Sequence, residues 1–143
     1  MIAKNELFAT TLRKHGHSVT SSRKEVFLAL EHHEPLSMHK LVEQCPHIDR
    51  ASVYRSIALF EEIGITKRIY SGWKYKIELS DMFGHHHHHA TCVRCGHLYS
   101  LDEEPAIESA LKAIAARHSF VLTAHEVELS VICKACQAKF PEV

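Results

Sequence analysis

The chain has 143 residues, room for one domain or two small ones, and its 17 basic and 17 acidic residues cancel, so net charge alone says nothing about partners. The distribution says more: 12 basic and 9 acidic residues up to Leu79, then 5 and 8, which fits a nucleic-acid-facing part joined to a metal-facing part. No apolar run is long enough to cross a bilayer and no secretory leader is recognisable, and five cysteines, four of them in two C-x2-C pairs, suit a reducing cytoplasm with metal rather than a secreted disulfide scaffold.

In chain order, the spacing of Leu7, Phe8 and Leu12 predicts a helix over 5–15 that stops at Gly16. A second helix follows a Thr20-Ser21-Ser22 cluster, where Ser22 and Glu25 match a capping box, and it ends before Pro35. Ser37 is expected to cap a third helix, whose Met38, Leu41, Val42 and Cys45 form one buried face. That gives Cys45 a core role. Asp49 caps a fourth helix running from Arg50 to Ile63 and stopping at Gly64, with Val53, Ile57 and Phe60 inward. The period then drops to two. Residues 65–70 and 73–79 read as a hairpin turning at Ser71-Gly72. Short helices followed by a basic hairpin make a winged helix-turn-helix, in which Lys67, Arg68, Lys74 and Lys76 would lie where phosphates pass. The alternative is a solvated sheet edge protected by lysines.

Residues 80–84 read as a hinge. Beyond them comes the most informative stretch, His85 to His89 running into Cys92-x-x-Cys95-Gly96, with Cys133-x-x-Cys136 near the end of the chain. A histidine run usually signals a purification tag, but this one is internal and embedded between a strand and a cysteine pair. Two C-x2-C turns brought together supply four thiolates, the closed tetrahedral coordination of a structural Zn2+; redox disulfides or plain buried cysteines are the alternatives. Alternate residues of an extended segment point to opposite sides, so His86 and His88 can serve one metal while His87 and His89 serve another. Residues 90–101 read as a strand entering and leaving the cysteine turn. Asp102 is expected to cap a helix with Ile107, Leu111 and Ile114 as its stripe, and residues 120–132 to form a long strand. A sheet of two or three strands has open edges, and pairing with a second copy would cover them, so a homodimer is expected. The fold class is therefore α+β. A winged helix-turn-helix over 1–79 and a hinge at 80–84 precede a small α/β dimerisation and metal-binding domain at 85–143 with a four-cysteine zinc site.

Taken in order, Ala51-Ser52-Val53-Tyr54-Arg55, the basic hairpin, the histidine run before Cys92-x-x-Cys95-Gly96, Ile107-Glu108, Leu122-Thr123-Ala124-His125 and Cys133-x-x-Cys136 resemble the ferric-uptake-regulator (Fur) family of metal-dependent transcriptional regulators over nearly the whole chain. The resemblance implies a structural zinc on Cys92, Cys95, Cys133 and Cys136. It implies a dimerisation-domain metal on His86, His88, Glu108 and His125, and an inter-domain sensing metal on His33, Glu78, His87 and His89, with His32, Asp81 and Asp102 as alternatives. Histidine at position 88, where iron regulators often carry aspartate, is similar to the zinc-uptake branch, and Ser100 stands where the family often has a carboxylate. Ser52, Tyr54 and Arg55 match the family's recognition segment, with Arg13, Lys14, Arg23, Lys67, Lys74 and Lys76 as further DNA contacts. Read without the family, the alternatives are a packed core histidine for His125, a solvated helix charge for Glu108, a core aromatic for Tyr54, and a solvated basic face for Arg13, Lys14 and Arg23.

The expected function is a metal-gated repressor, zinc- or iron-sensing, that binds palindromic double-stranded operators as a dimer in the cytoplasm. It needs no small-molecule substrate and has no catalytic constellation, so it is not an enzyme. A manganese- or peroxide-responsive regulator of the same family, a zinc buffer or delivery protein, and a thiol oxidoreductase are the competing readings.

Overall fold

Side chains that take over orphan amides set where three of the first four helices begin. The computed structural model describes residues 3–139 and residue 141. Helix α1 (Lys4–Lys14) carries no side-chain cap. Helix α2 (Ser21–Glu31) starts at Thr20, whose hydroxyl accepts from the Arg23 amide at 3.2 Å. The expected Ser22–Glu25 box is corrected accordingly: Thr20 already holds the extended cap conformation, which puts Ser22 inside the first turn. Ser37 caps α3 (Met38–Gln44) through the Lys40 amide, and Asp49 caps α4 (Arg50–Glu62) through the Ser52 amide at 2.9 Å. Gly64, at φ 78, turns the chain out of α4 where a side chain would be strained.

Two compact units follow from the contacts, Met1–His85 and His86–Val143. The first is built on aromatic packing. Phe8 stacks on Phe27 with ring centroids 4.3 Å apart and meets Phe60 edge-on at 5.4 Å, while Phe83 closes on Phe27 at 5.1 Å. Leu12, Val26, Leu41, Cys45, Val53, Ile65 and Ile77 fill the same core. Burial pushes the Cys45 thiol up to about 11, which keeps it protonated and unreactive, as its helix position suggested. Strands β1 (Thr66–Ser71) and β2 (Lys74–Leu79) pair antiparallel from Thr66–Leu79 to Ser71–Lys74. The turn is therefore Gly72-Trp73, one residue later than expected. Glycine at positive φ in the first central position is the type II′ pattern that matches strand twist. Leu36 bridges to Ile77, tying the segment before α3 to the hairpin. A single 3-10 turn, Asp81–Phe83, ends this unit's regular structure.

The second unit is a three-stranded sheet in the order β4-β3-β5. Its central strand β3 (His87–Cys92) begins inside the histidine run, earlier than the cysteine turn alone suggested. β4 (Leu98–Asp102) lies antiparallel on one side and β5 (Glu128–Val131) parallel on the other. The crossover contains α5 (Pro105–Arg117). Two expectations are corrected here. Asp102 ends β4, and Glu104 caps α5 instead, accepting from the Ala106 amide. The long strand expected over 120–132 shrinks to four residues. With Glu128 opposite His89, residues before 126 run past the start of β3 and find no strand beside them. A further short helix, α6 (Lys134–Lys139), was not foreseen; it begins between the cysteines of the second pair. None of the helices is long and apolar enough to cross a membrane, among the described residues.

Candidate metal centres

Two β-turn-sized loops carry the sulfur cluster. Cys92 is the last residue of β3, and Gly96, at φ 72, lets the chain reverse after Cys95. Cys133 follows β5 and Cys136 lies in the first turn of α6. Parallel pairing of β3 with β5 sets Cys92 opposite Val131, so the two C-x2-C turns meet at the same end of the sheet. All five cysteines are free thiols, and the four sulfurs of the pairs lie within 4.8 Å of one another. Cys95 Sγ and Cys133 Sγ are 3.8 Å apart. A tetrahedron with Zn–S bonds of about 2.3 Å has an edge of about 3.8 Å, whereas a disulfide needs about 2.05 Å, so the spacing suits a shared metal and not a bridge.

The surrounding donors also favour thiolate. The Cys133 amide donates to Cys92 Sγ at 3.4 Å, and this with the Cys95 amide draws the Cys92 thiol down to about 6. Cys133 is lowered too, by the Cys136 amide and then by the Tyr99 hydroxyl. Tyr99 in return is pushed up to about 12, because its hydroxyl donates to the Cys133 sulfur and so keeps its proton. Cys136 is pushed up to about 12 by burial and by its sulfur neighbours, the load that a divalent cation would relieve. Tyr99 escaped the sequence reading. It sits on β4 opposite Ala90, and only the sheet pairing brings it to the sulfurs.

The second cluster gathers residues from three elements. His86 and His88 flank the start of β3 on one side, Glu108 lies in the first turn of α5, and His125 precedes β5. Their ligand atoms fall within 4.8 Å of one another. His88 Nε2 is 2.9 Å from Glu108 Oε1, His125 Nε2 is 3.0 Å from Glu108 Oε2, and the Nε2 atoms of His86 and His125 are 3.0 Å apart. These separations are close to the edge of about 3.3–3.6 Å for a tetrahedron of N and O ligands at 2.0–2.2 Å. His88 is 3 % exposed and the other three are half-buried. The His88 hydrogen bond, ahead of that from His125, holds the Glu108 carboxyl below the ordinary carboxylate range. Thus Glu108 is neither a solvated helix charge nor His125 a packed core histidine; both belong to one polar cluster.

The rings of His87 and His89 stand together on the other side of β3, with centroids 4.8 Å apart. Asp102 pairs with His87 and Ser100 with His89 across β3 and β4, so Asp102 shares the His87 side of the sheet. The remaining residues expected at that site belong to the first unit. Glu78 is a buried residue of β2, Asp81 opens the 3-10 turn, and His32 and His33 follow α2. The His33 Nδ1–H donates to the Ala29 carbonyl at 2.7 Å, which orients its ring.

In the first unit, Ser52, Tyr54 and Arg55 occupy the outer face of α4. Tyr54 is 40 % exposed, so it is no core aromatic. Arg50 donates to the Tyr54 hydroxyl at 3.3 Å, Arg55 donates to Ser52 Oγ at 3.0 Å, and Ser52 donates to Asp49 at 2.6 Å, forming an ordered polar face. Arg13 and Lys14 are exposed at the end of α1, and Arg23 donates to the Ser18 carbonyl at 2.6 Å. The basic hairpin divides in two. Lys67 contacts Asp81 at 2.8 Å and Glu78 at 3.5 Å, and Arg68 clasps Glu61 through two hydrogen bonds while lying over the Tyr75 ring. Lys67 and Arg68 thus each meet carboxylates of their own unit. Lys74 is exposed and Lys76 partly so.

The ferric uptake regulator family model matches residues 14–130. The ferric uptake regulation protein of Legionella pneumophila is 35% identical over 133 residues, covering 88% of this chain and 96% of that protein. Among solved structures, the ferric uptake regulator of Vibrio cholerae, described by a rearrangement of its DNA-binding domains, superposes with a TM-score of 0.73 at 28% identity, covering 88% of this chain and 99% of that one. The regulator of Pseudomonas aeruginosa, solved with manganese, superposes at 0.77 and 26% identity, covering 93% and 99%. These relatives are regulators and not enzymes. With its clustered thiols, its histidine strand and matches along nearly its whole length, the chain belongs to the ferric uptake regulator family.

Proposed function

We propose that this protein is a metal-responsive repressor that binds palindromic operator DNA as a homodimer, with Zn2+ structural on Cys92, Cys95, Cys133 and Cys136. The observation that carries the reading is the convergence of His86, His88, Glu108 and His125 in the same small unit as the four thiols. Three imidazoles and one carboxylate favour Zn2+ at this second set, and a bound divalent cation there would supply positive charge that locks α5 to the histidine strand. The carboxylate and the manganese in the Pseudomonas aeruginosa structure support Fe2+ or Mn2+ as the second reading.

Residues 1–79 act as the DNA-binding domain, 80–84 as the hinge and 85–143 as the dimerisation domain in this reading. Ser52, Tyr54 and Arg55 read base edges and phosphates from the exposed side of α4, with Arg13, Lys14 and Arg23 as backbone contacts. Dimerisation is supported by the apolar surface that the second unit leaves uncovered: Ile107, Ile114, Phe120, Val121, Leu122 and Leu129 are all exposed. Metal responsiveness comes from His87 and His89 acting with Glu78 and His33, ligands that belong to different units, so that occupancy selects a DNA-competent arrangement. Coupling of about 1–3 kcal/mol suffices for such a switch.

The test combines elemental analysis of protein purified without added metal with operator titration in Zn2+, Fe2+, Mn2+ and chelator. We expect about one tightly held zinc per chain and DNA affinity that rises at least about tenfold with the sensed metal. Equal affinity in chelator and in every metal would eliminate the gating, and no DNA binding in any state would favour a zinc buffer.

A further inference from the structure

Among the described residues, Trp73 at 86 % is second only to Val121 at 87 % as an exposed large apolar side chain. It sits at the tip of the two-residue turn between β1 and β2, next to Gly72 at φ 63. The Lys74 ammonium lies 5.4 Å from the indole centroid. Residues 69–77, the outer half of the hairpin, carry Lys74 and Lys76 and no carboxylate. The inner half, by contrast, sets Lys67 and Arg68 against Asp81 and Glu61. Tyr70, half-exposed, and Tyr75 pair across the strands just behind the tip with centroids 5.9 Å apart. An indole held out on a short turn, backed by aromatic rings and flanked only by cations, is matched to a polyanion that also offers apolar surface.

We propose that Trp73 is a DNA-contacting residue of the wing, entering the minor groove at A·T pairs flanking the site read by α4; this rests on the DNA-binding reading above. A minor groove about 6 Å wide admits one side chain from a hairpin tip but not the strands behind it. The indole Nε1–H is a donor with no acceptor capacity, and A·T pairs present only acceptors on that edge, whereas G·C adds a competing donor. The ring's apolar faces would pack against the groove's sugar walls; apolar side chains are used in the same groove by other minor-groove binders, there as wedges between base steps. Lys74 brings its charge to the adjacent phosphates.

The chain contains one tryptophan, so its fluorescence reports this residue alone. The experiment uses full-length zinc-loaded protein and duplexes recovered by selection from a random-sequence pool. Acrylamide quenching of Trp73 should fall at least about threefold in the duplex complex, reflecting burial against the groove walls. Trp73→Ala should weaken binding about tenfold with an unchanged salt slope and with loss of A·T preference at the flanking pairs, while Trp73→Phe keeps most of the affinity and Lys74→Ala makes the slope shallower by about one. An indole as open to quencher in the complex as in free protein overturns the inference. So does full affinity in Trp73→Ala, or concentration-dependent protection without DNA, which would make the tip a contact between copies. Failure of the pool to enrich any duplex overturns the DNA-binding reading itself, a result distinct from enrichment with an unprotected indole.

Discussion

The two units are held together by different physics. Among the described residues, the first buries fourteen apolar ones in one cluster centred on Phe8, Phe27 and Phe60. Among the described residues, the second buries Cys92, Cys133 and Cys136, with Ile132 packed against them, and the small side chains Ala90 and Ala115. Its larger hydrophobic side chains face outward, from Ile107 and Ile114 on α5 to Phe120 and Val121 beyond it. A hydrophobic core of that size sustains a small domain by removing apolar surface from water. A cluster of thiols does not, because uncompensated sulfurs repel and desolvate one another; it becomes a core when a cation joins them. The first unit should therefore fold on its own residues, and the second on a metal and a partner copy.

The largest effect that would test this contrast is loss of the sulfur cluster. Cys133→Ser should remove about one zinc per chain and abolish the cooperative unfolding of the second unit, as in small metal-organised domains. The helical signal of the first unit should survive. Loss of both units together, followed by circular dichroism and zinc analysis, would show that the units share a single core. The reverse experiment is Phe27→Ala, expected to destabilise the first unit by about 3–5 kcal/mol in denaturant titration while zinc content stays unchanged.

A smaller effect is expected at the second cluster. Glu108→Gln should lower affinity for the second metal by at least about tenfold, measured by competition with a chelator, and leave the cysteine-bound zinc in place. The same residue gives a pH signature in metal-free protein. Its carboxyl is held below its unfolded value by His88, so its ionised form contributes stability above the unfolded value. That contribution is lost as pH falls through the folded value. The difference in Tm between wild type and Glu108→Gln should therefore narrow with acidification through the carboxylate range; a constant difference would show that the carboxylate charge plays no part. The smallest effect is Thr20→Ala, which removes the α2 cap and should cost about 1 kcal/mol in the first unit only.

The sequence made the first unit legible because helices announce themselves by period and cap. Asp49, Ser37 and Gly64 mark ends that the structure keeps. The thiol and imidazole groupings were legible because spacing and alternation are local properties of the chain, visible in Cys92-x-x-Cys95 and in His86 and His88. What was hidden depends on pairing between distant segments. Tyr99 reaches the sulfurs through the β3–β4 register, and residues 120–125 fail to form a strand because β3 begins too late to accompany them. The ion pairs of Lys67 with Asp81 and of Arg68 with Glu61 likewise join residues far apart in the sequence.

Five identical side chains in succession cannot tell one alignment of β3 from the next. Were the strand to slide by one residue, His85 to His88 would simply fill the places of His86 to His89. Cys92 is the residue that would notice, because the same slip turns its sulfur to the opposite side of the sheet and away from Cys133. The sulfur cluster is thus a ruler as well as a fastening: it fixes which imidazole counts as which, several residues upstream of any atom it touches.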